Sequence, residues 1–346
     1  MSAWAEAFTL QAEACRALGS PLTAEICEAL RSIIGAGKDP VSLRVRDWPG
    51  DPSYHGDSVP LRLCGALHAL ALEGQAPVLA QTYATHNIGE LSQDIFTTIQ
   101  NNTPYILDFI ELPPQTNEVG RSAAILAAAW HLIALFPAAR FSAFELGASA
   151  GLNLNFPLYH LVTNNNNSEP LTGTVHLTPE WRGLPPSRQA LRLDSTAGVD
   201  IHPLDPARDG LRMKAYIWPD QPQRLARMQA ALQIAQAHPP KVDKADAADW
   251  LESRLAQPSQ SGRFVYHTIA AQYFPPLTRE RIEAALQRAG QTARDHAPLA
   301  HFSMESSLAG GADLLLRVWS TGRLREWHLG RADAHARWID WQPEEI

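Results

Sequence analysis

The residues best suited to chemistry surround one short stretch, Phe141 to Asn155, which reads FSAFELGASAGLNLN. Apolar residues lead up to Glu145, and five small residues follow from Gly147 to Gly151, a segment called the glycine loop below. Small residues let the backbone turn sharply, and the amides at a helix start can hold a ligand's anionic groups. The pattern predicts a β-strand, a tight turn, and a helix from Leu152 to about Val162.

Two kinds of enzyme site share this pattern. Glu145 followed by Gly147, Ser149 and Gly151 resembles the acidic-x-Gly-x-Gly-x-Gly motif of class I S-adenosylmethionine-dependent methyltransferases, with Ser149 at the middle glycine position. That resemblance implies that the loop packs against the cofactor and that the carboxylate helps to hold its amino-acid end. The same letters match the Gly-x-Ser-x-Gly nucleophile elbow of α/β-hydrolases, in which Ser149 is the nucleophile. A plain strand–helix turn without a ligand is the third possibility.

Carboxylates farther along the chain are candidates for the rest of a nucleotide site. Asp200 ends an apolar segment just before a turn, where a carboxylate can accept hydrogen bonds from ribose hydroxyls. An insertion at about 164–195 explains why it lies more than the usual ~20 residues beyond the glycines. Asp220 is the alternative, because Met213 to Trp218 also has strand character. Asp246 resembles the residue beside the adenine in methyltransferases, and it is equally suited to cap a helix.

Two polar segments are candidates for acceptor binding and catalysis. Gly262 to Phe274 is an apolar strand that breaks into polar residues, and the resemblance gives it the place of the strand facing the reacting methyl group. His267 and Tyr273 are the catalytic candidates there, and Gln272 is a substrate-binding candidate. A histidine at a strand end is otherwise a hydrogen-bonded structural residue.

The second polar segment is QTNEVGR at 115–121, which precedes a very apolar helix. One interpretation is a helix cap, with Thr116 or Asn117 as acceptor and Glu118 favoured by the helix dipole. The other is a loop that closes over the central site. In that case Glu118 is a catalytic candidate, and Asn117 and Arg121 are substrate-binding candidates.

The elements that carry these residues alternate between strand and helix after Phe141, and they end in a hairpin with period-two alternation. This order predicts an α/β fold with a Rossmann-like, class I methyltransferase-type, mostly parallel sheet over 139–346 and a terminal antiparallel hairpin. Residues 1–138 have helical periodicity and are expected to form an N-terminal helical cap domain. An α/β-hydrolase usually has several strands before its nucleophile and an HGGG-like segment, and neither is present here.

Composition limits the classes of partner. The 346-residue chain is 45% hydrophobic and carries a formal charge of -7, which disfavours a nucleic-acid binder. Its three cysteines, Cys15, Cys27 and Cys64, form no CxxC pair, so we expect a reducing cytoplasm and no cysteine-based metal site. No apolar run is long enough to span a bilayer. We therefore expect a cytoplasmic protein without a metal, membrane or nucleic-acid partner, acting on a small molecule.

A wider set of motifs resembles a bacterial domain-of-unknown-function family, DUF2332. The motifs are QTNEVGR (115–121), ELGASAGLNL (145–154), GVDIHPLD (198–205), IWPDQ (217–221) and VYHT (265–268). This resemblance covers nearly the whole chain and implies that QTNEVGR is a signature rather than only a cap. It implies no activity.

The function expected from these observations is methyl transfer from S-adenosylmethionine to a small or medium acceptor. The residues expected to contact the cofactor are Glu145, Gly147, Ser149, Gly151, Asn153, Asp200 and Asp246. Alignment of acceptor and donor supplies most of what such a transfer needs, so no obligatory base is expected. The alternatives are a serine hydrolase that uses Ser149 and a non-catalytic ligand-binding protein.

Overall fold

A computed structural model describes residues 2–163 and 175–346. Residues 164–174, the first part of the expected insertion, lie outside the described residues. The chain divides into two compact units, one comprising Met1–Thr116 and Arg208–Ala226 and the other Asn117–Ala207 and Arg227–Ile346. This division differs from the sequence-based boundary at residue 138.

The first unit is helical, as its periodicity predicted. Its helices before residue 117 are α1 (Ala3–Ala17), α2 (Pro21–Ala36), α3 (Pro40–Arg46), α4 (Val59–Leu72), α5 (Pro77–Thr85), α6 (Ile88–Asn101) and α7 (Thr103–Glu111). Proline lies in the first turn of α2, α3, α4, α5 and α7, where its missing N–H would have had no helical partner. The later segment belongs here because Ala215 and Tyr216 are part of the same hydrophobic core.

The second unit is built on a nine-stranded sheet. The strands of the described chain are β1 (Phe141–Leu146), β2 (His160–Leu161), β3 (His176–Leu177), β4 (Glu180–Arg182), β5 (Leu193–Asp200), β6 (Val242–Lys244), β7 (Gly262–Thr268), β8 (Leu299–Ser306), β9 (Ala312–Ser320), β10 (Arg323–Ala332) and β11 (Trp338–Glu345). The later helices are α8 (Ser122–Leu135), α9 (Pro206–Ala215), α10 (Pro222–Ala237), α11 (Ala247–Ala256) and α12 (Pro276–Gly290). Strands β2 and β3 form a separate parallel pair.

The strand order in the large sheet is β4-β11-β10-β9-β8-β7-β1-β5-β6. Strands β6, β5, β1, β7 and β8 are parallel, and β8 to β11 continue as an antiparallel meander. The coarse prediction of a mostly parallel α/β sheet with an antiparallel end and preceding helices is therefore confirmed. The order reverses at β1, and ligands of such sheets bind outside the carboxyl ends of the strands at this switch point.

Two local features differ from the expectation. The helix after the glycine loop is a short 3-10 helix, Leu152–Leu158, and Pro157 near its end explains why it does not continue, since proline lacks the N–H that a further turn needs. Met213 lies in α9 rather than in a strand, because the segment from Pro206 is helical. No single helix among the described residues is long and apolar enough to cross a membrane, although α4 and α5, bent by 104°, meet the length and composition test as a pair.

Candidate functional site

A buried carboxyl group marks the carboxyl end of the central strand. Glu145 pairs with Tyr266 of β7 in the sheet register and is 2% exposed. Its Oε1 lies 3.5 Å from Nδ2 of Asn153, and its buried Oε2 has no hydrogen-bond partner within 2–163 and 175–346. Burial raises the pKa of Glu145 to about 8, against the opposing effect of Asn153 and of the Arg121 charge. An unpaired buried carboxyl costs stability, and such groups concentrate at functional sites, so Glu145 is a candidate site residue.

The segment 117–122 bonds the residues that lie beside this carboxyl. Oδ1 of Asn117 accepts the Leu152 N–H at 2.8 Å, at the first residue of the 3-10 helix. The hydroxyl of Ser122 donates to Oδ1 of Asn153 at 2.7 Å, which turns the Asn153 amide nitrogen towards Glu145. The segment 117–122 is therefore joined to the 3-10 helix after the glycine loop by two hydrogen bonds, between residues 35 and 31 positions apart in the chain.

Glu118 and Arg121 hold this segment in place. Oε1 of Glu118 accepts the Gly120 N–H at 2.9 Å, as a cap of the short 3-10 turn Val119–Arg121, and lies 3.5 Å from Nη2 of Arg227. Arg121 donates from Nη1 to the Thr268 carbonyl at the end of β7, at 3.1 Å. A cap is therefore present, but Glu118 forms it rather than Asn117, which bonds Leu152. That the segment closes over a ligand site stays a prediction.

The glycine loop has three residues in the left-handed region: Gly147 at φ +70°, Ser149 at φ +53° and Gly151 at φ +71°. A Cβ on Gly147 would lie 2.8 Å from Cβ of Ala270, and one on Gly151 would lie 2.6 Å from Cγ2 of Val242. Both glycines are therefore required by the packing of the loop on its own unit. Their role in contacting a cofactor stays a prediction.

Ser149 does not have the surroundings of a nucleophile. Its N–H donates to Oδ2 of Asp200 at 2.8 Å, and its buried Oγ has no hydrogen-bond partner among the described residues. A serine nucleophile needs a base within hydrogen-bond reach. The left-handed backbone at Ser149 is shared with a nucleophile elbow, but the acid and histidine of a triad are not assembled around it.

Asp200 closes the loop from the neighbouring strand. Besides the Ser149 N–H, its carboxylate accepts the His202 N–H at 2.8 Å through Oδ1. Each carboxylate oxygen has a second lone pair, so Asp200 can still accept ribose hydroxyls. The strand expected before the alternative, Asp220, is not observed, because Met213 lies in α9, and Asp220 accepts bonds from the Ser20 hydroxyl and the Leu22 N–H.

Asp246 lies at the end of the next strand as an N-cap. Its Oδ1 accepts the Ala248 and Asp249 amides at 2.8 and 3.2 Å, and its Oδ2 accepts the Thr278 hydroxyl at 3.0 Å. The helix-cap interpretation is therefore correct. A role beside an adenine stays a prediction.

His267 occupies the opposite face of the sheet from Glu145. Side chains alternate along a strand, and Tyr266, the register partner of Glu145, is the residue next to it. Nδ1 of His267 lies 2.6 Å from Oε1 of Glu305. Tyr273 is 77% exposed, and Gln272 accepts the Ser306 hydroxyl at 3.3 Å.

Apart from the glycine loop and the two carboxylates Asp200 and Asp246, the predicted residues separate into two groups. The first, on the Glu145 face, is Asn117, Glu118, Arg121, Glu145 and Asn153. The second, after β7, is His267, Gln272 and Tyr273. Sequence reasoning missed Ser122, Tyr266 and Glu305. The signal for Glu305 in the sequence is a polar residue at the end of an apolar strand. That signal does not predict its contact with His267, because the contact depends on the pairing of β7 with β8.

An open pocket of about 420 Å³ borders the glycine loop at Ala150. It is lined by the segment after β5, from Pro203 to Ala207, by the end of α10, and by Val242 of β6. This volume is within the range of small-molecule sites. Asp205 and Gln236 bring polar groups to a lining that is otherwise mainly apolar.

The described residues are compatible with bound S-adenosylmethionine in charge, hydrogen-bonding capacity and space. The unpaired Oε2 of Glu145 can accept the ammonium of an amino-acid end, and such a cation would keep the carboxyl ionised. Asp200 retains acceptor capacity, and the pocket beside Ala150 offers space. Asp246 has both oxygens engaged in capping, so it contributes least to the fit.

Comparison with known families agrees with the motifs. The family model described as "Uncharacterized protein conserved in bacteria (DUF2332)" matches residues 5–341. The chain therefore belongs to this family, and the resemblance drawn from the motifs is confirmed. No curated protein and no solved structure matches the chain.

Proposed function

We propose that this DUF2332 protein binds S-adenosylmethionine at the carboxyl edge of its parallel sheet and transfers the methyl group to a small or medium acceptor. The observation that carries the proposal is the buried, unpaired carboxyl oxygen of Glu145 at the end of the central strand, directly before a loop with left-handed residues. This position is the switch point of a sheet whose parallel strands have the order β6-β5-β1-β7-β8.

In this proposal each group has a distinct task. Glu145 holds the ammonium of the amino-acid end, and Asn153, oriented by Ser122, fixes the Glu145 carboxyl. Asp200 holds the ribose hydroxyls while it keeps the Ser149 amide in place. The nucleoside end uses the space bordered by Ala150.

The bound donor supplies a methyl group that is already activated for displacement. What the chain contributes is alignment, because a bound acceptor and donor react as if at very high local concentration. Polar side chains of 117–122 close one side of this site, and Arg121 ties them to the end of β7 through the Thr268 carbonyl. The rigid anchoring of this segment supports a preformed site.

The proposal is tested by calorimetric titration of the protein with S-adenosylhomocysteine. Asp200→Asn is compared with Asp194→Asn, because both residues lie on β5 and only Asp200 is at its carboxyl end. Asp194 lies at the other end and bonds Arg140 and Ser261. Loss of a charged hydrogen-bond acceptor at the ribose should weaken binding by about 10- to 100-fold in Asp200→Asn.

The control variant should bind as the wild type does. Equal affinities of the two variants for S-adenosylhomocysteine would show that Asp200 does not bind the ligand. Absence of binding to a wild-type protein whose circular dichroism and cooperative unfolding show that it is folded would overturn the methyltransferase proposal.

A further inference from the structure

A carboxylate–histidine pair lies at the end of β7 and β8, away from the Glu145 carboxyl. Nδ1 of His267 is 2.6 Å from Oε1 of Glu305. The same carboxylate oxygen accepts the Ala270 and Ala271 amides at 3.0 and 3.1 Å. Burial disfavours the charge of Glu305, but the bond from His267 and the two amides outweigh it and lower its pKa. Glu305 is therefore a fixed anion.

This anion determines which nitrogen of His267 carries the proton. A carboxylate that already accepts two amides can only accept from His267, so the neutral ring has its hydrogen on Nδ1. Nε2 is then the basic nitrogen, and it has no hydrogen-bond partner in the described part of the chain. Nε2 of His301 is fully enclosed and has no partner in that part of the chain. Nε2 of His267 is not among the fully enclosed atoms.

The neighbouring groups leave this pair undisturbed. The His301 ring lies 5.0 Å from the His267 ring, and burial lowers the pKa of His301 well below its usual value, so His301 is neutral. Nη2 of Arg317 lies 3.0 Å from Nδ1 of His301, and Glu283 pairs with that guanidinium at 2.7 Å. His301 and the Arg317–Glu283 pair thus flank His267 without competing for Glu305.

The pair is joined to the glycine loop through a strained turn. Ile269, a β-branched residue, has φ +50°, and its N–H donates to the Met304 carbonyl at 2.7 Å. Left-handed backbone is rare for β-branched residues and is associated with functional sites. The next residue, Ala270, is held by Glu305 and lies 2.8 Å from where a Gly147 Cβ would be. Glu305 therefore positions both His267 and the wall of the glycine loop.

We infer that His267 is the base that removes a proton from the acceptor, and that Glu305 is its positioning residue. This inference rests on the proposed methyl transfer. The acceptor oxygen forms a bond to the methyl carbon while the sulfur–carbon bond breaks and its electron pair stays on sulfur, and the acceptor proton passes to Nε2 of His267. Among acceptors that lose a proton, a hydroxyl is the weakest nucleophile while it is protonated and gains most from a built-in base, so we assign a hydroxyl acceptor.

The test is the reaction of the full-length protein with diethyl pyrocarbonate. An unprotonated imidazole nitrogen attacks a carbonyl carbon of this reagent and becomes modified. Modification is followed residue by residue by mass spectrometry, with the exposed His55 as internal standard. His267 should be modified in the wild type. The reaction should be about tenfold slower in Glu305→Gln, because the amide can donate to Nδ1 and so place the ring proton on Nε2, the nitrogen that reacts. Glu283→Gln, the same change beside Arg317, should leave the rate unaltered.

Nitrogen NMR of histidine-labelled wild-type protein gives a readout that needs no variant. The neutral His267 ring should show the proton on Nδ1, and a proton on Nε2 would overturn the inference. An unmodified His267, or equal rates of His267 modification in Glu305→Gln and Glu283→Gln, would also overturn it. Titration with S-adenosylhomocysteine on the same samples records donor binding separately. Donor binding without the Nδ1–H form would remove only the base. The Nδ1–H form without donor binding would remove the proposed methyl transfer and, with it, the role of His267 as the acceptor's base.

Discussion

At the scale of single residues, the site is defined by polar atoms that the fold buries without pairing. Oε2 of Glu145 and Oγ of Ser149 are both enclosed and unpartnered. The sequence could indicate Glu145 because its motif is local, with the acid, the loop and Asn153 within nine residues. It could not indicate Glu305, because that residue meets His267 only through the pairing of β7 with β8.

The Glu145 carboxyl should make stability depend on pH. Its pKa is about 8 in the folded protein, against 4.5 for an ordinary glutamate. Between these values the folded state holds a proton that the unfolded chain has lost, so the free energy of unfolding falls as pH rises. Glu145→Gln removes this dependence. The stability of the variant relative to the wild type should therefore increase by ~1 to 3 kcal/mol from pH 5 to pH 8.5.

Urea unfolding at the two pH values measures this difference. Glu283→Gln is the matched control, because Arg317 lowers the pKa of Glu283 and its titration lies below this pH range. A constant difference between Glu145→Gln and wild type across the range would show that Glu145 is ionised throughout.

At the scale of elements, the glycine loop illustrates what a pattern can and cannot predict. The strand, the turn and a following helical segment were all expected from small and apolar residues. The helix is shorter than expected because Pro157 lies near its end. The reason why glycine is needed also differs in part from the expected sharp turn. Ala270 and Val242 leave no space for a side chain at Gly147 and Gly151, and these contacts depend on tertiary packing.

Gly147→Ala should destabilise the protein more than Gly322→Ala. The two glycines have nearly the same φ, +70° and +73°, so both variants lose ~1 to 2 kcal/mol to the left-handed backbone. A Cβ at Gly322 meets nothing within 4 Å, whereas one at Gly147 overlaps Ala270. That overlap should add ~1 to 3 kcal/mol, measured by thermal unfolding. Equal losses of stability in the two variants would mean that the turn after β7 moves to accommodate the added methyl group without a loss of free energy.

At the scale of the whole molecule, the sequence predicted the helical and α/β parts but not their boundary. Local pattern groups the alanine-rich helix α8 with the preceding helices, because it is helical as they are. It belongs to the second unit, and residues 208–226 belong to the first. A unit built from two separate segments cannot be recognised from local pattern, because the contacts of Tyr216 with Phe109 connect residues far apart in sequence.

Tyr216→Ala should destabilise the helical unit although Tyr216 follows β5 in the chain. Its ring lies 5.8 Å from that of Phe109, and it fills the space that a side chain at Gly65 would need. Removing it should cost ~3 to 5 kcal/mol and increase amide exchange in α4 and α7. Tyr54→Ala, in the same unit but 46% exposed, should cost less than ~0.5 kcal/mol. Unchanged exchange in α4 and α7 would contradict this assignment.

The measurement that tests the central claim most directly is calorimetric titration with S-adenosylhomocysteine at pH 7 in two buffers of different ionisation enthalpy. At this pH the Glu145 carboxyl is mostly protonated, and an ammonium bound beside it should expel the proton. We predict release of close to one proton per molecule bound to wild-type protein. We predict none, with weaker binding, for Glu145→Gln. Binding without proton release, or no binding to the folded wild type, would contradict the claim that Glu145 holds the amino-acid end of the donor.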